Sequence, residues 1–270
     1  RQALYAGTWY PDTKRDIEEY LDRGALKKEK TKAIACICPH AGWMYSGKVA
    51  GSVYSRINLD EYDSCVIVGP NHTGYGQPVS MFPEGDWQMP LGNISVDGEL
   101  SAEILKNSEF IRTDTQAHLR EHCIEVQLPF IQYFNPGIKI VPIVIMSDNF
   151  EIIEDIGRAV GAGIKNLSKM KNRKTLVIAS TDMTHYEPHE RAKKQDRYAI
   201  DMILNLDAEG FFKTVVRMGI SMCGAAPAAA VIIASILLGA GHSELVKYAT
   251  SGDVSGDYDA VVGYAGFVIK

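Results

Sequence analysis

The sequence predicts an α/β fold: one domain over residues 1–270, with a mostly parallel central sheet and helices on both faces. Three observations carry this. Ala33–Cys38, Ser64–Val68, Lys139–Ile145 and Thr175–Ala179 are continuous apolar runs between turn residues, as strands buried on both faces are. Segments of helical period lie between them; Ile152, Ile156, Val160 and Ile164 recur every four residues. No repeat, low-complexity tract or linker breaks the alternation.

In chain order, residues 6–11 (Ala-Gly-Thr-Trp-Tyr-Pro) form a turn-rich arm, and Asp12 is placed to cap a helix carrying Ile17 and Leu21. The first strand, Ala33–Cys38, runs into Pro39-His40-Ala41-Gly42, and a helix over Gly47–Arg56 follows. The second strand runs into Gly69-Pro70-Asn71-His72, and the crossover makes the two strands parallel. Pro78–Phe82 reads as a short strand, and Trp87–Leu91 with Asn93–Val96 as a hairpin or an excursion from the sheet. Asp97 caps a helix to Asn107, and Glu121–Tyr133 is a helix interrupted near Pro129. After the third strand comes an amphipathic helix over Phe150–Ser168. The fourth strand runs into Ser180-Thr181-Asp182-Met183-Thr184-His185. Helices over Lys193–Asn205 and Ala208–Met218, an Ala-rich helix with Pro227 in its first turn, and strands at Leu245–Thr250 and Ala260–Val268 complete the chain.

Composition narrows the function class. The chain is 46% hydrophobic and 23% charged, with a net charge of −5, which suits a large core and gives no basic stripe for nucleic acid. The basic runs Lys27–Lys32 and Lys169–Lys174 read as solvated loops. Met222–Gly241 is uncharged and near the length of a membrane span, but it is rich in Ala and Gly and lacks aromatic or basic anchors. It is expected to be a buried core helix, with no membrane involvement. Five cysteines, an odd number lying mostly in buried strands, suggest a reduced cytoplasmic setting. Cys36-x-Cys38 is read as pointing to opposite faces of its strand, forming no common site. No signal peptide is visible, and the start at Arg1 reads as the loss of an initiator or tag residue.

The chemistry is expected where strand ends share one sheet edge, the edge on which open α/β sheets hold ligands. His40, His72 and the pair Asp182 and His185 leave the ends of three predicted parallel strands. One such histidine would more often cap a turn; three imidazoles and a carboxylate together suit a metal or acid–base site. Asp182-x-x-His185 spans about one helical turn, so Asp182 is expected to orient His185. Cys223 precedes the Ala-rich helix, whose N-terminus favours a thiolate that serves as nucleophile or soft ligand; the plain alternative is a small buried residue. His118-Leu119-Arg120-Glu121-His122 matches the H-x-x-E-H pattern of inverted zinc peptidases, with Glu125 one turn on. The preceding loop, Thr113–Ala117, places His118 before the helix start, so Glu121, His122 and Glu125 are expected to line the cleft or make polar contacts beneath the strand-end histidines. His189 and His242 are expected at the surface. No P-loop or dinucleotide fingerprint is present.

These motifs, together with residues 5–11 (Tyr-Ala-Gly-Thr-Trp-Tyr-Pro), Trp43-Met44-Tyr45-Ser46-Gly47 and Cys223-Gly224, resemble the Memo family across essentially the whole chain. Microbial members are also called the B protein of the AmmeMemoRadiSam system. The resemblance implies a fold similar to the catalytic subunit of class III extradiol dioxygenases, which are non-haem Fe(II) enzymes. It implies His40, His72 and Cys223 as metal ligands for one Fe(II) or Cu ion, with Asp182 and His185 as catalytic pocket residues. Cys223 stands where those dioxygenases carry a glutamate, which softens the site. Members have been described as copper- or iron-binding redox proteins, and an animal member as an adaptor for phosphotyrosine-containing receptor tails.

Two function classes follow. One is a redox metalloprotein acting on a small substrate or dioxygen, with His185 moving protons. The other is a binding module for a peptide or small ligand, with Trp9, Tyr10, Trp43, Tyr45 and Tyr75 as aromatic walls; Trp43 and Tyr45 are the aromatic members of the expected substrate site. A zinc peptidase at His118 and His122, and a thiol hydrolase using Cys223 with His185, are weaker readings.

Overall fold

A computed structural model describes residues 1–24 and 30–270. In chain order its elements are α1 (Lys14–Gly24), β1 (Ala35–Cys38), α2 (Trp43–Tyr54), β2 (Ser64–Pro70), β3 (Val79–Met81), β4 (Asp86–Met89), β5 (Gly92–Ser95), α3 (Gly98–Lys106), β6 (Arg112–Thr113) and α4 (Gln116–Leu119). Then come α5 (Leu128–Phe134), β7 (Lys139–Ile145), α6 (Phe150–Lys171), β8 (Thr175–Ser180), β9 (His185–Glu187), α7 (His189–Leu204), α8 (Ala208–Met218), α9 (Ala225–Leu237), β10 (Ser243–Thr250), α10 (Gly252–Ser255) and β11 (Val261–Ile269).

One sheet organises the chain, in the order β10-β11-β1-β8-β2-β7-β3-β6, with β9 added beside β11. Its centre is parallel: β8 pairs with both β1 and β2, and β2 with β7. Its flanks are mixed. β11 runs antiparallel to β1 and β10, and β3 antiparallel to β7. The parallel core follows from crossovers through α2 and α6, whereas β10 returns directly as β11 and so pairs antiparallel. The expected parallel relation of the first two strands holds, with β8 inserted between them.

Helices cover both faces. Ala35, Ile37, Val66, Val68, Val141 and Val177 face α3, α6, α8 and α9. Cys36, Cys38, Cys65, Ile67, Ile140 and Ile178 face α1, α2, α5 and the β4–β5 hairpin. Cys36 and Cys38 therefore share a face, because side chains two apart on a strand point the same way. The reading that placed them on opposite faces is corrected. All five cysteines are free.

Some local expectations shift. Thr13, not Asp12, caps α1: its Oγ1 accepts from Asp16 N at 3.1 Å. α2 starts at Trp43, earlier than expected, because its first backbone N–H donates to Trp9 O at 2.7 Å. Glu121–Tyr133 is not one interrupted helix; a 3₁₀ turn at Glu125–Gln127 leads into α5, with Pro129 in its first turn. Asp182-x-x-His185 is not helical, since His185 opens β9 and pairs with Val262. Asp97 does cap α3, accepting from Leu100 N. α9 is buried along most of its length, and no helix among the described residues is long and apolar enough to cross a membrane. The run Lys27–Lys32 falls largely outside the described residues; Lys30 and Lys32 are exposed.

Candidate metal centre

The parallel strands β1, β2 and β8 end on one edge, so Pro39-His40, Asn71-His72 and Thr181-Asp182 leave the sheet side by side. Two glycines let further segments close in. A Cβ on Gly69 would meet Cys123 Sγ at 2.4 Å, so its absence lets the Glu121–Cys123 loop press against the end of β2. A Cβ on Gly224 would meet Thr181 at 2.4 Å, so its absence brings the start of α9, with Cys223, to the end of β8. The result is a cleft of about 640 Å³ lined by His40, His72, His122, Asp182, His185 and Cys223, with Trp9, Met44, Tyr45 and Tyr186 at its sides. A depression of similar size between α1 and α2 is lined by no histidine or cysteine.

One wall is made of imidazoles. Ligand nitrogens of His40, His72 and His122 lie within 4.8 Å of one another. The ring of His122 stacks on His72 at 4.5 Å and 18°, and His40 stands edge-on to both. Their partners assign the protons. Ser180 Oγ meets His40 Nδ1 at 3.0 Å, accepts from Gln127 Nε2 and donates to Cys123 O at 2.6 Å. A carbonyl can only accept, so the single hydroxyl proton goes there and His40 Nδ1 must donate to Ser180. That leaves His40 Nε2 a bare lone pair facing the cleft. His72 Nδ1 donates to Glu121 Oε1 at 2.9 Å, which leaves its Nε2 bare as well.

Glu121 is the common brace. It is almost fully buried and accepts from the backbone N–H of His72, His122 and Cys123 besides the His72 ring. Burial pushes its carboxyl up, but the His72 hydrogen bond and the nearby imidazoles outweigh this and hold it down at about 2. Burial drives His40 and His122 down to about 3, helped by the other imidazoles, so both rings are neutral at physiological pH. Neutral imidazoles whose second nitrogens are held by a carboxylate or hydroxyl are the usual state of metal ligands. The donor set fits a borderline transition metal such as iron, copper or zinc better than a hard cation.

The opposite wall holds protons. His185 Nδ1 donates to Ser221 O at 2.8 Å, which leaves Nε2 as an acceptor on the cleft. Asp182 Oδ1 accepts from the backbone N–H of His40 and Ala41, and burial raises its carboxyl. Asp182 therefore orients the His40 loop, and Ser221 orients His185; the expected Asp182–His185 brace is corrected. Cys223 Sγ lies 3.2 Å from His40 Nε2. Burial and the Asp182 charge push its thiol up to about 12, the reverse of the helix-terminus expectation, so it donates S–H to the bare His40 nitrogen.

Several expected roles move. The family resemblance implies Cys223 with His40 and His72 as ligands; the geometry brings a His122 nitrogen into the same cluster and sets Cys223 Sγ 3.2 Å from His40 Nε2. Glu121 and His122 do belong to the site. Glu125 and Trp43 do not line the cleft. Glu125 is buried, accepting from Leu4 N, Tyr5 N and Tyr10 Oη, and Trp43 is buried against Phe130 with its indole N–H on Val126 O. Tyr10 is likewise buried, whereas Trp9 and Tyr45 do line the cleft. The H-x-x-E-H segment is not a helix face: α4 stops at Leu119, and His118 turns into the core with Nε2 on Ser80 O. His242 is exposed, and His189 is half-buried against Thr250 and Tyr258. The H-x-x-E-H spacing marks His122 as a ligand only together with His118, which the fold turns away; the signal that ties it to His72 is its adjacency to Glu121, which lies against both rings.

A family model described as Memo-like protein matches residues 1–268. The chain is 44% identical over 273 residues to a MEMO1 family protein of Methanosarcina mazei, covering 100% of this chain and 99% of the relative. It is 42% identical to one from Desulfurococcus amylolyticus (98% and 97% covered) and 41% identical to one from Aquifex aeolicus (99% and 98%).

Proposed function

The chain belongs to the Memo family, and on that premise we propose that it is a metal-dependent redox protein acting on a small substrate or dioxygen. The observation that carries the reading is the convergence of three imidazoles, two of them with their cleft-facing nitrogens bared by buried partners. His40, His72 and His122 would hold one ion, iron or copper by the donor chemistry and the family resemblance. Such an ion supplies Lewis acidity and one-electron chemistry when bound. Cys223 keeps its proton on His40 Nε2 until that nitrogen is claimed. His185 Nε2 takes a proton from a substrate in the cleft, and the Ser221 carbonyl holds the ring in the tautomer this needs. Trp9 and Tyr45 wall the cleft and limit water. The test is metal content and oxygen uptake of the wild type beside His72→Ala and His185→Ala. The reading expects His72→Ala to lose the metal and His185→Ala to keep it while losing uptake. Full metal occupancy in His72→Ala removes the proposed site.

A further inference from the structure

Three residues other than glycine carry a positive φ among the described residues: Asn172, Leu206 and Tyr186. Left-handed backbone crowds a Cβ, so each needs a compensating reason. Asn172 ends α6, a place where asparagine tolerates that geometry. Leu206 is partly buried and packs against the apolar layer that holds α6, α8 and α9. Tyr186, at φ 58°, has neither reason. It is 78% exposed, and its ring meets that of His185 edge-on with 5.8 Å between centroids.

The position follows from the ladder. Glu187 pairs with Val261 and His185 with Val262, so Tyr186 is one extra residue on β9. Such a bulge re-aims the side chain beside it, here His185, which lines the cleft. Glycine takes left-handed backbone at a bulge without steric cost. A tyrosine there carries the cost, with almost no buried area to offset it. The use of the ring therefore lies outside the fold.

The ring stands on the cleft. Tyr186 and Met44, the latter 65% exposed, are the exposed apolar side chains of the lining and form its rim. Asp182 is the one Asp, Glu, Lys or Arg side chain on that lining. An anionic group finds no cationic side chain there to pair with, and Asp182 opposes it. A flat uncharged group finds the face of Tyr186 and, on the same rim, a flexible thioether that adapts to it.

We infer that Tyr186 is a specificity-determining residue: it holds the non-reacting part of a cleft substrate, and that part is flat and carries no negative charge. The inference rests on the reading of the cleft as the place where a small substrate meets His185, and it holds for any set of metal ligands.

The test compares the full chain with Tyr186→Gly, Tyr186→Asn and Tyr186→Phe, after chelator treatment so that no ion holds a probe. Glycine and asparagine both accept left-handed backbone and both remove the ring, so one serves if the other does not fold. The probes are 4-fluoroanisole (flat and uncharged), 4-fluorobenzoate (flat and anionic) and fluorocyclohexane (uncharged and not flat). Fluorine NMR line widths give each affinity. The expected result is that 4-fluoroanisole binds the wild type and Tyr186→Phe alike, and binds Tyr186→Gly and Tyr186→Asn about 2–10-fold more weakly, as for loss of one aromatic partner. The other two probes bind the wild type more weakly than 4-fluoroanisole. Tyr186→Gly melts no lower than the wild type and up to about 3 °C higher, because the crowded Cβ is gone. A ring kept for the fold moves the melting temperature the other way. A lower melting temperature in Tyr186→Gly overturns the inference. So does 4-fluoroanisole that ignores the loss of the ring or fails to bind the wild type, and so does either other probe binding as tightly. The expected affinities in a wild type that shows no oxygen uptake with Fe(II) or Cu supplied overturn the redox reading and leave Tyr186 in its role.

Discussion

His118 and His122 stand four residues apart in one short segment, and they end in opposite surroundings. His118 points into the apolar layer beside Phe82 and Trp87, gives its Nε2 proton to Ser80 O, and is pushed down to about 4 by burial. His122 points into the cleft between His72 and Trp9. The backbone between them decides this. A helix would have put both rings on one face, but α4 ends at Leu119 and Arg120 leaves helical geometry at φ −119° and ψ 12°. Glu121 turns inwards between them and serves the strand-end histidine instead of activating water for a peptidase. A spacing pattern therefore identifies a site only together with the conformation it assumes.

The largest expected effect tests that contrast directly. His122→Ala lowers Cu(II) or Fe(II) affinity at least about 10-fold while leaving the fold intact, by the usual effect of weakening a metal site. His118→Ala leaves metal affinity unchanged and lowers stability by about 1–3 kcal/mol, because a buried strand carbonyl loses its donor. Calorimetric metal titration and denaturant unfolding check both arms. Equal metal loss in the two variants would erase the distinction between the two histidines.

Glu121→Gln comes next, at about 10–100-fold in metal affinity. The amide cannot accept from the His72 ring and from three backbone N–H groups as the carboxylate does. It does not abolish a peptidase activity, because the segment holds no zinc-peptidase geometry. Glu121-dependent hydrolysis of a peptide would revive that reading.

The third test is the response to acid. His40, His118 and His122 titrate at about 3, 4 and 3 in the folded chain, below the ordinary histidine value of 6.5. The unfolded chain therefore binds more protons than the folded one between those limits. The stability is fully present above about pH 6.5 and is lost as pH falls towards 3–4. Melting temperature followed from pH 7 to pH 4 should fall. His118→Phe should make the fall shallower, and metal loading should protect the site histidines but not His118. A melting temperature that does not change over that range would contradict the neutral, buried state of all three.

The smallest effect is expected for Cys223→Ser, a change of less than about tenfold in metal affinity, since its sulfur sits beside His40 with its proton retained rather than as the third member of the cluster. A larger loss would return Cys223 to the ligand set and displace His122 from it.

Much of the fold was legible. β7 was read to the residue, and α8, the β4–β5 hairpin, the Asp97 cap and the buried Ala-rich helix followed from apolar runs, turn residues and capping. The gaps have a common cause. Thr13 as a cap, the early start of α2 on Trp9 O, and the 3₁₀ turn before α5 depend on hydrogen bonds whose partners are set locally or by distant chain, not by propensity. In the site, His40, His72, Asp182 and His185 could be placed because strand ends expose them. Glu125 and Trp43 were misplaced because a buried carboxylate or indole looks the same in sequence as one lining a cleft.

By itself the sequence determined the α/β class, the strands whose ends bear chemistry, and the family, since apolar periodicity, turn chemistry and motif identity are local properties of the chain. Only the tertiary structure brought His122 beside His40 and His72 with Cys223 against His40, let Ser180 and Glu121 set the protons on His40 and His72, and placed Glu125 under the N-terminal arm. Those choices depend on which side chains meet across 49 residues of chain (His72 and Glu121) to 140 (His40 and Ser180), and on whether burial leaves a thiol protonated or an imidazole neutral. Neither is encoded in spacing, because distance in space and desolvation exist only once the sheet has brought its loops to one edge.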